Sequence, residues 1–264
     1  MLRFANLASG SSGNATLIEA SDQTHSTRVL VDCGLGVKEL EKRLNALGLG
    51  LSDLDALFIT HEHADHIGQT KAVMQRCEAM LCISHGTWLA CDAPSWGLSD
   101  ERIQWIHDAC PVGIGSLEIH PFTVPHDARE PLQLTCTDGA SRLGVVTDLG
   151  HASDHVIECL QGCHALMLET NHDTELLAQS AYPAFLKSRI SGRLGHLSNA
   201  ASAELLGQVW HSGLAFVLAA HLSERNNSPE LARQALDQVL GNRPVEVQVA
   251  SANETTPWYS VHPA

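Results

Sequence analysis

The sequence predicts an α/β fold in which two β-sheets pack face to face and helices cover both outer faces, a four-layer αββα sandwich. Strand patterns dominate the first half of the 264-residue chain, helical and strand patterns then alternate, and a helix-rich half follows. That order suits stacked sheets with helices outside. No internal linker or low-complexity segment interrupts it, so residues 1–264 are expected to form a single domain.

Short apolar runs define the elements of the first half. They predict strands at residues 2–8, 15–20, 28–32, 56–60, 80–84, 103–106 and 117–124. Helical spacing of apolar residues predicts helices at 37–47, 67–77 and 86–91. Residues 93–100 are expected to be a loop.

The second half is expected to alternate strands with longer helices. Residues 132–137 and 143–147 predict a hairpin, since Asp138-Gly139 is a dipeptide favoured in tight hairpin turns. Further strands are predicted at 165–169, 215–220 and 245–249, the last of which is expected to close the pattern. Helices are predicted at 153–161, 182–190, 198–210 and 229–240.

The densest group of metal-binding residue types directly follows the apolar run 56–60, where the sequence reads His61-Glu62-His63-Ala64-Asp65-His66. In an extended segment residues i and i+2 point the same way, so His61 and His63 can bind one ion. Asp65 and His66 follow where the chain turns toward the predicted helix, and they can face a second ion. The alternatives are a histidine-rich surface turn or a single structural metal.

The His-x-His-x-Asp-His pattern resembles the signature of the metallo-β-lactamase-fold hydrolases. The resemblance implies further ligands at three later strand ends, His126, Asp148 and His221. It implies one metal site formed by His61, His63 and His126, and a second formed by Asp65, His66 and His221, with Asp148 bridging both. Each of the later residues alone would be a capping or core-edge residue, but their order after predicted strands favours the ligand interpretation.

Imidazole and carboxylate ligands suit two divalent ions of Zn²⁺, Mn²⁺ or Fe²⁺. Two such ions can hold one bridging water and lower its pKa toward about 7. The bridging hydroxide is therefore the predicted nucleophile, and Asp65 is expected to orient it as well as to bind metal. Asp32, at the end of strand 28–32, is expected either to hold a ligand histidine in one tautomer or to cap the following helix.

Three later segments, 169–173, 195–200 and 221–227, resemble the phosphodiesterase branch of the family, which includes ribonuclease Z and the phosphonate-pathway cyclic phosphodiesterase. The loop Ser9-Gly10-Ser11-Ser12-Gly13-Asn14 and the His-Leu-Ser-x-x-Asn-Asn segment at 221–227 are similar to the YycJ-like (WalJ) subgroup, proposed DNA exonucleases. The resemblance implies a phosphodiester substrate, with DNA preferred. The chain has no insertion like the arm with which ribonuclease Z grips transfer RNA, and no room for a β-CASP domain.

In that branch a histidine placed like His196 contacts the scissile phosphate or protonates the leaving oxygen, a role that suits the imidazole pKa of about 6.5. The alternative is that His196 merely precedes a helix capped by Ser198. The residues expected to contact substrate are Ser11, Ser12, Asn14, His172, Arg193 and Asn226. A Gly/Ser loop can present N–H groups and hydroxyls to an anion, and guanidinium matches phosphate, although a plain turn and solvated charges are the alternatives.

Composition restricts the partners of the protein. A formal net charge of −14 argues against the broad basic surface that gives general nucleic-acid affinity. It does not exclude a phosphodiester, because two divalent ions would make the pocket locally cationic. No apolar run is long enough for a membrane span, and no secretory signal is visible at Met1, so a cytoplasmic location and no membrane partner are expected.

The eight cysteines lack a CxxC pair and are expected to be reduced, with Cys159 and Cys163 as small buried residues. Two other functions are open at this stage. One is hydrolysis of a small ester or thioester, as in glyoxalase II, although the helical substrate domain of that class is not visible. The other is a non-enzymatic regulator that responds to metal or redox state. The oligomeric state is not predicted.

Overall fold

Strands and helices alternate along residues 1–22 and 24–264, which the computed structural model describes. The strands are β1 (Leu2–Ala8), β2 (Ala15–Ser21), β3 (Ser26–Val31), β4 (Ala56–Phe58), β5 (Met80–Ile83), β6 (Ile103–Trp105), β7 (Val112–Ile114), β8 (Leu117–Thr123), β9 (Leu132–Thr137), β10 (Arg142–Val146), β11 (Ala165–Glu169), β12 (Phe216–Ala220), β13 (Glu246–Val249) and β14 (Tyr259–Val261). The helices are α1 (Val37–Ala46), α2 (Ala64–Ile67), α3 (Thr70–Met74), α4 (His85–Ala90), α5 (Asp154–Leu160), α6 (Thr174–Gln179), α7 (Ala184–Ile190), α8 (Asn199–Val209) and α9 (Pro229–Leu240).

The strands form two seven-stranded sheets, in the orders β14-β1-β2-β3-β4-β5-β6 and β13-β12-β11-β10-β9-β8-β7. In the first sheet the strands from β14 to β3 are antiparallel and those from β3 to β6 are parallel. In the second sheet the strands from β7 to β10 are antiparallel and those from β10 to β13 are parallel. The predicted hairpin is confirmed, with Leu143 of β10 opposite Cys136 of β9. Because parallel strands end at the same edge of a sheet, the loops after β4, β5 and β6 lie side by side, as do those after β10, β11 and β12.

Three hydrophobic clusters fill the spaces between four layers. The central cluster joins the two sheets and includes Phe4 and Leu218, both fully buried. A second lies between the first sheet and α1 and contains Leu40, and a third lies between the second sheet and α8 and α9 and contains Leu206 and Leu236. The predicted αββα sandwich is therefore confirmed.

Strand β12 shows why its sequence is uniformly apolar. Phe216, Leu218 and Ala220 face the central cluster, whereas Val217 and Ala219 face the outer helices. Alternate residues of a strand point to opposite faces, and both faces of this sheet are covered. A fully buried strand therefore reads as a continuous apolar run.

The helix predicted at 67–77 is wrong in its bounds, because the structure has two short helices, α2 and α3, separated after Gly68. The break follows from contacts with the loop after β3. The Cys33 N–H donates to the His66 carbonyl at 2.6 Å, and the Gln69 N–H donates to the Cys33 carbonyl at 3.0 Å. These backbone groups are taken by the neighbouring loop, so one continuous helix does not form.

The sequence also missed three short elements, β7, α6 and β14. Strand β7 is three residues long and contains Gly113, so it carries little periodic signal. Helix α6 begins after Asp173, whose carboxylate accepts from the N–H groups of Glu175 and Leu176. Strand β14 pairs with β1, a contact between chain ends that local patterns do not encode, so residues 245–249 are not the last strand. Within the expected 93–100 loop, Ala93–Trp96 forms a 3₁₀ turn.

Two expectations from composition can be compared with the described residues. None of their helices is both long and apolar enough to cross a membrane. All eight cysteines are unpaired, and Cys163 is buried, whereas Cys159 is only half-buried against His155.

Candidate metal centre

The structure brings all the ligands expected from the sequence into one cluster at the facing edges of the two sheets. His61 and His63 follow β4, Asp65 and His66 lie in α2, His126 follows β8, Asp148 follows β10 and His221 follows β12. Their nitrogen and carboxylate oxygen atoms form overlapping groups of at least three within 4.8 Å of one another. Both sheets therefore contribute to the same site.

The first group consists of three imidazoles. The Nδ1 atom of His63 lies 3.0 Å from Nε2 of His61 and 3.2 Å from Nε2 of His126. His61 donates from Nδ1 to the Thr60 hydroxyl at 2.9 Å, and His126 donates from Nδ1 to the Gly195 carbonyl at 3.1 Å. These bonds fix the tautomers so that both Nε2 atoms present lone pairs to the same point.

The second group shares Asp148 with the first. The Oδ2 atom of Asp65 lies 3.5 Å from Nε2 of His66 and 3.6 Å from Nε2 of His221. Asp148 lies 3.1 Å from His66 through Oδ2 and 3.8 Å from His126 through Oδ1. Asp148 thus contacts a member of each group, which is the position expected of a bridging carboxylate.

Strained backbone helps to aim these side chains. Asp32, Asp148 and His221 have positive φ angles of 63°, 52° and 56°, and each lies one or two residues after the end of a strand. Non-glycine residues in this region cost roughly 1–3 kcal/mol each and persist where the surroundings hold them. At each of these three positions the strained backbone turns the chain sharply at the sheet edge, so that the side chain of that residue points into the cluster.

The unpartnered atoms of the cluster fit metal ions. Among the described residues, Oδ2 of Asp148 and Nε2 of His221 are buried without a hydrogen-bond partner. The Nε2 atoms of His61 and His126 both face Nδ1 of His63, which can carry only one proton. Buried polar atoms rarely stay unsatisfied, and a donor set of imidazole and carboxylate suits Zn²⁺, Mn²⁺ or Fe²⁺.

The two groups differ in protonation. Burial lowers the pKa of His61 well below 6.5 and also lowers the pKa of His126, which favours the neutral form of these two imidazoles. In the second group burial opposes protonation, but the Asp148 carboxylate outweighs it and raises the pKa of His66 well above 6.5 and that of His221 to about 10. Without metal, the second group therefore holds protons where a cation would bind.

The comparisons with known proteins agree with this geometry. The sequence profile of the metallo-beta-lactamase superfamily matches residues 8–167, which include the His61–His66 motif. The chain is 32% identical to the exodeoxyribonuclease YycJ of Bacillus anthracis over 240 residues, which cover 90% of this chain and 89% of that protein. The chain belongs to the metallo-β-lactamase superfamily.

Two further relatives extend the likeness. The exodeoxyribonuclease WalJ of Streptococcus pneumoniae is 32% identical over 249 residues, 94% of this chain and 91% of that protein. The crystal structure of the metallo-β-lactamase fold protein YhfI from Bacillus subtilis superposes with a TM-score of 0.71 at 17% identity, over 97% of this chain and all of that one. This metallo-β-lactamase superfamily member is a metal-dependent hydrolase, as the sequence predicted.

A layer of polar residues holds the ligands of the superfamily site. His66 donates from Nδ1 to Oδ2 of Asp32 at 2.7 Å, and the Thr60 hydroxyl lies 2.9 Å from Oδ1 of Asp32. Helix α1 instead begins after Gly36. Of the two roles expected for Asp32, the structure therefore supports fixing the His66 tautomer, which strengthens Nε2 as a ligand.

Glu169 is the functional residue that the sequence reasoning missed. It is fully buried at the end of β11, and Oε1 accepts from Nδ1 of both His196 and His221 at 2.9 Å. Its other oxygen accepts from the N–H groups of Leu149 and Leu197. Burial opposes ionisation, but His196 and His221 lower the pKa of Glu169 to about 2. The sequence does contain one sign of this role, because Glu169 is a single carboxylate at the end of an otherwise apolar strand.

His196 lies beside the ligands but is less enclosed than they are. Its Nδ1 atom is 3.6 Å from Oδ1 of Asp148, and 22% of its side chain is exposed. Burial lowers the pKa of His196, but the Glu169 carboxylate outweighs it, so the net shift is upward from 6.5. The Glu169 carboxylate thus favours the protonated form of His196, a side chain that is partly accessible to solvent.

The Gly/Ser loop, residues 9–14, has some side chains at the metal centre and others on the surface. The Asn14 amide nitrogen lies 3.3 Å from Oδ2 of Asp65, and the Asn14 side-chain oxygen accepts from the Gly10 N–H. Ser11 and Ser12 are exposed at the tip of the loop. Ser9, which was not predicted, is buried and accepts from the His221 N–H at 2.7 Å.

The remaining expected substrate contacts differ in exposure. His172 and Asn226 are 2% and 0% exposed, so both side chains are enclosed by protein, and their contact with substrate stays a prediction. The Asn226 amide nitrogen donates to the Ser223 hydroxyl, whereas Oδ1 of Asn226 and Nδ1 of His172 are buried without a hydrogen-bond partner among the described residues. Arg193 is exposed, beside His151.

Another arginine lies nearer to the ligands. Arg189 pairs with Asp127 at 2.6 Å, and Oδ1 of Asp127 is 3.5 Å from Nε2 of His126. A guanidinium group therefore stands at the rim of the metal centre, where a substrate anion would enter.

Proposed function

We propose that this hydrolase uses two divalent ions to cleave phosphodiester bonds and acts on DNA as an exonuclease. The observation that carries the proposal is the placement of His196, backed by Glu169, beside two ligand groups that share Asp148. The choice of DNA is supported by the two relatives that bear the name exodeoxyribonuclease.

In this proposal one ion is held by His61, His63 and His126, and the other by Asp65, His66 and His221, with Asp148 common to both. When bound, the ions would supply an activated water as nucleophile and Lewis acidity for the phosphate charge. Asp65 would hold metal through Oδ2, which lies 3.5 Å from Nε2 of His66 and 3.6 Å from Nε2 of His221, and its carboxylate would also be able to orient a water there.

His196 moves the proton that the leaving oxygen needs. Glu169 holds Nδ1 of His196, so the proton at Nε2 is the one available to a substrate. Donation from Nε2 to the departing oxygen avoids a free alkoxide, and general acid catalysis of this kind contributes about 10²–10⁴-fold. Glu169 stabilises the imidazolium and keeps the ring in place for the next cycle.

The negative net charge of −14 is compatible with this substrate. Divalent ions would be the largest charges in the site, and two exposed arginines, Arg189 and Arg193, precede His196 in sequence. The cytoplasmic location expected from the sequence stays a prediction. The assignment of residues 1–264 to one domain is supported by the pairing of β14 with β1.

The test is a substrate panel with purified, metal-loaded protein: labelled DNA, bis-p-nitrophenyl phosphate and a glutathione thioester. We expect hydrolysis of the two phosphodiesters, and a His196→Ala variant should lose about 10²–10⁴-fold in kcat on DNA while keeping its metals by elemental analysis. His262→Ala, an exposed histidine in the C-terminal segment, is the matched control. Hydrolysis of the thioester alone, or full DNA cleavage by His196→Ala, would contradict the proposal.

A further inference from the structure

Next to the metal centre, the first sheet carries a set of aromatic rings that the proposed chemistry does not use. The rings of His85 and Trp105 stack with centroids 3.8 Å apart and an interplanar angle of 12°. His107 continues the stack, with its centroid 5.4 Å from that of His85 and an interplanar angle of 14°. We call Trp105, His85 and His107 the stacking ladder.

The topology of the sheet places the ladder beside the site. Strands β4, β5 and β6 are parallel neighbours, and His61, His85 and His107 follow their carboxyl ends by two or three residues. Neighbouring strands are roughly 5 Å apart, so His85 and His107 lie about one and two strand spacings along the same edge from the strand that leads to His61. The ladder and the metal ligands thus line one continuous edge.

The loop between His126 and β9 connects the two features directly. Glu130 accepts from the Gly86 N–H at 2.5 Å and lies 4.0 Å from Nδ1 of His107. In the same loop the Arg129 N–H donates to Glu62, which stands between the ligands His61 and His63. The loop that supplies a metal ligand therefore also positions the ladder.

The ladder is rigid at one end and open at the other. Trp105 is half-buried against Trp88, with centroids 5.5 Å apart at 84°, and both belong to the margin of a hydrophobic cluster. His85 is exposed, and the His107 side chain is 47% exposed. Exposed, near-parallel rings on a fixed tryptophan are not needed to fill a core, and they offer a flat surface to a planar ligand.

The charge around the ladder suits a nucleotide strand. Arg129 is exposed and lies between His126 and Glu130 in the chain, and the described residues place no carboxylate within ion-pair distance of its guanidinium. An aromatic surface with a neighbouring cation is the combination by which proteins hold single strands, since every base has a π face and every link a phosphate. One oxygen of the Glu130 carboxylate accepts from the Gly86 N–H, and the other lies 4.0 Å from Nδ1 of His107.

We propose that the stacking ladder binds an unpaired base of the DNA strand whose phosphodiester bond lies at the metal centre, with Arg129 contacting the intervening backbone. This inference rests on the proposed function, because it assigns a subsite to the same substrate. Stacking of this kind is tolerant of sequence, so the ladder gives preference for a frayed or single-stranded end without a preference for one base.

The test measures binding of a phosphorothioate-linked single-stranded oligodeoxynucleotide that carries 2-aminopurine, a base whose fluorescence is quenched by stacking. Metal-loaded wild-type protein should quench the probe. His85→Ala, His107→Ala and the double variant should raise Kd, the double variant by about tenfold or more, and weaken the quenching. His107→Phe, which keeps a flat ring and removes the imidazole, should retain both.

Two controls keep the outcomes separate. His262→Ala removes an exposed histidine after β14, whose antiparallel pairing with β1 puts it at the opposite edge, so binding should not change. In cleavage assays the ratio of kcat/KM on DNA to that on bis-p-nitrophenyl phosphate should fall in the alanine variants.

If the folded double variant binds and quenches as well as wild type while DNA is still cleaved, the ladder assignment alone is wrong. If wild-type protein cleaves bis-p-nitrophenyl phosphate but neither binds nor cleaves the oligonucleotide, both the DNA substrate and the role of the ladder are wrong. Should the double variant not fold, the single variants carry the same comparison.

Discussion

At the scale of residues, the chemistry of the centre depends on how carboxylates offset the burial of histidines. Asp148 is buried, yet His221 and His66 hold its pKa well below 3.8, so it stays ionised beside imidazolium groups. Glu169 is likewise a buried carboxylate, and it accepts hydrogen bonds from Nδ1 of both His196 and His221. In the metal-free protein, protons thus occupy the positions that cations would take.

Metal binding to the second group should therefore release protons. The pKa of His66 is raised well above 6.5 and that of His221 to about 10, so below those values each ring must lose a proton before Nε2 can bind a metal. Affinity should rise with pH through the neutral range and level off above the pKa of His221. Calorimetry at pH 7 in buffers of different ionisation enthalpy measures the release, and heats that do not depend on the buffer would contradict it.

Glu169→Gln tests the role of the buried carboxylate. We expect kcat on DNA at saturating metal to fall at least about tenfold, because an amide cannot stabilise the His196 imidazolium. The pKa of His196 is raised by the Glu169 carboxylate, so in the variant it falls, and the loss of activity with rising pH should begin at lower pH. Glu175→Gln, on the exposed side of α6, is the control. An unchanged pH profile would mean that Glu169 is only structural.

At the scale of elements, short loops after strands place the ligands because their backbones are tightly fitted. The loop between β1 and β2 touches α2 through the bond from the Asn14 N–H to the carbonyl of Asp65, and the loop after β3 touches it through the bond from the Cys33 N–H to the carbonyl of His66. A small displacement of this loop would therefore move Asp65 and His66 together.

A pair of glycines in that loop gives a matched test. A Cβ atom on Gly34 would overlap the backbone carbonyl of Asp65, whereas one on Gly36 meets nothing within 4 Å. Gly34→Ala should lower the free energy of unfolding by about 1–3 kcal/mol and reduce metal content. Gly36→Ala should leave both close to the wild-type values. Denaturant titration and elemental analysis measure the pair, and equal effects of the two substitutions would contradict this fit.

Sequence patterns could predict elements whose signal is local. The ligands at His61, His126 and His221 follow apolar strands, and the period of those strands is visible in the chain. Strand β14 could not be found this way, since only its pairing with β1 defines it. Glu169 was missed because its partners come from the loop after β12 and the loop before α8. The burial of Asn226 likewise depends on the packing of distant loops.

At the scale of the whole molecule, the metal centre joins the two sheets. His61 and His66 belong to the first sheet, and His126, Asp148 and His221 to the second, so ions bound there would connect the sheets at an edge. A ligand that binds only the folded state stabilises it by mass action, by about 2.7 kcal/mol when its concentration is 100 times Kd.

Removal of metal should therefore lower the melting temperature. For a domain of this size the expected decrease on adding EDTA is about 5–10 °C, measured by scanning calorimetry. His63→Ala and Asp148→Ala should lower metal content and hydrolysis together, and they should shrink the EDTA effect. A melting temperature that EDTA does not change in protein shown to contain metal would contradict the connection between the sheets.

The central claim is that two sheets deliver two ligand groups around a pair of ions that share Asp148. Anomalous diffraction from crystals of metal-loaded protein tests it most directly. We predict two peaks roughly 3.5–4 Å apart, one bound by His61, His63 and His126 and the other by Asp65, His66 and His221, with Asp148 between them. A single peak, or peaks away from these residues, would contradict the account.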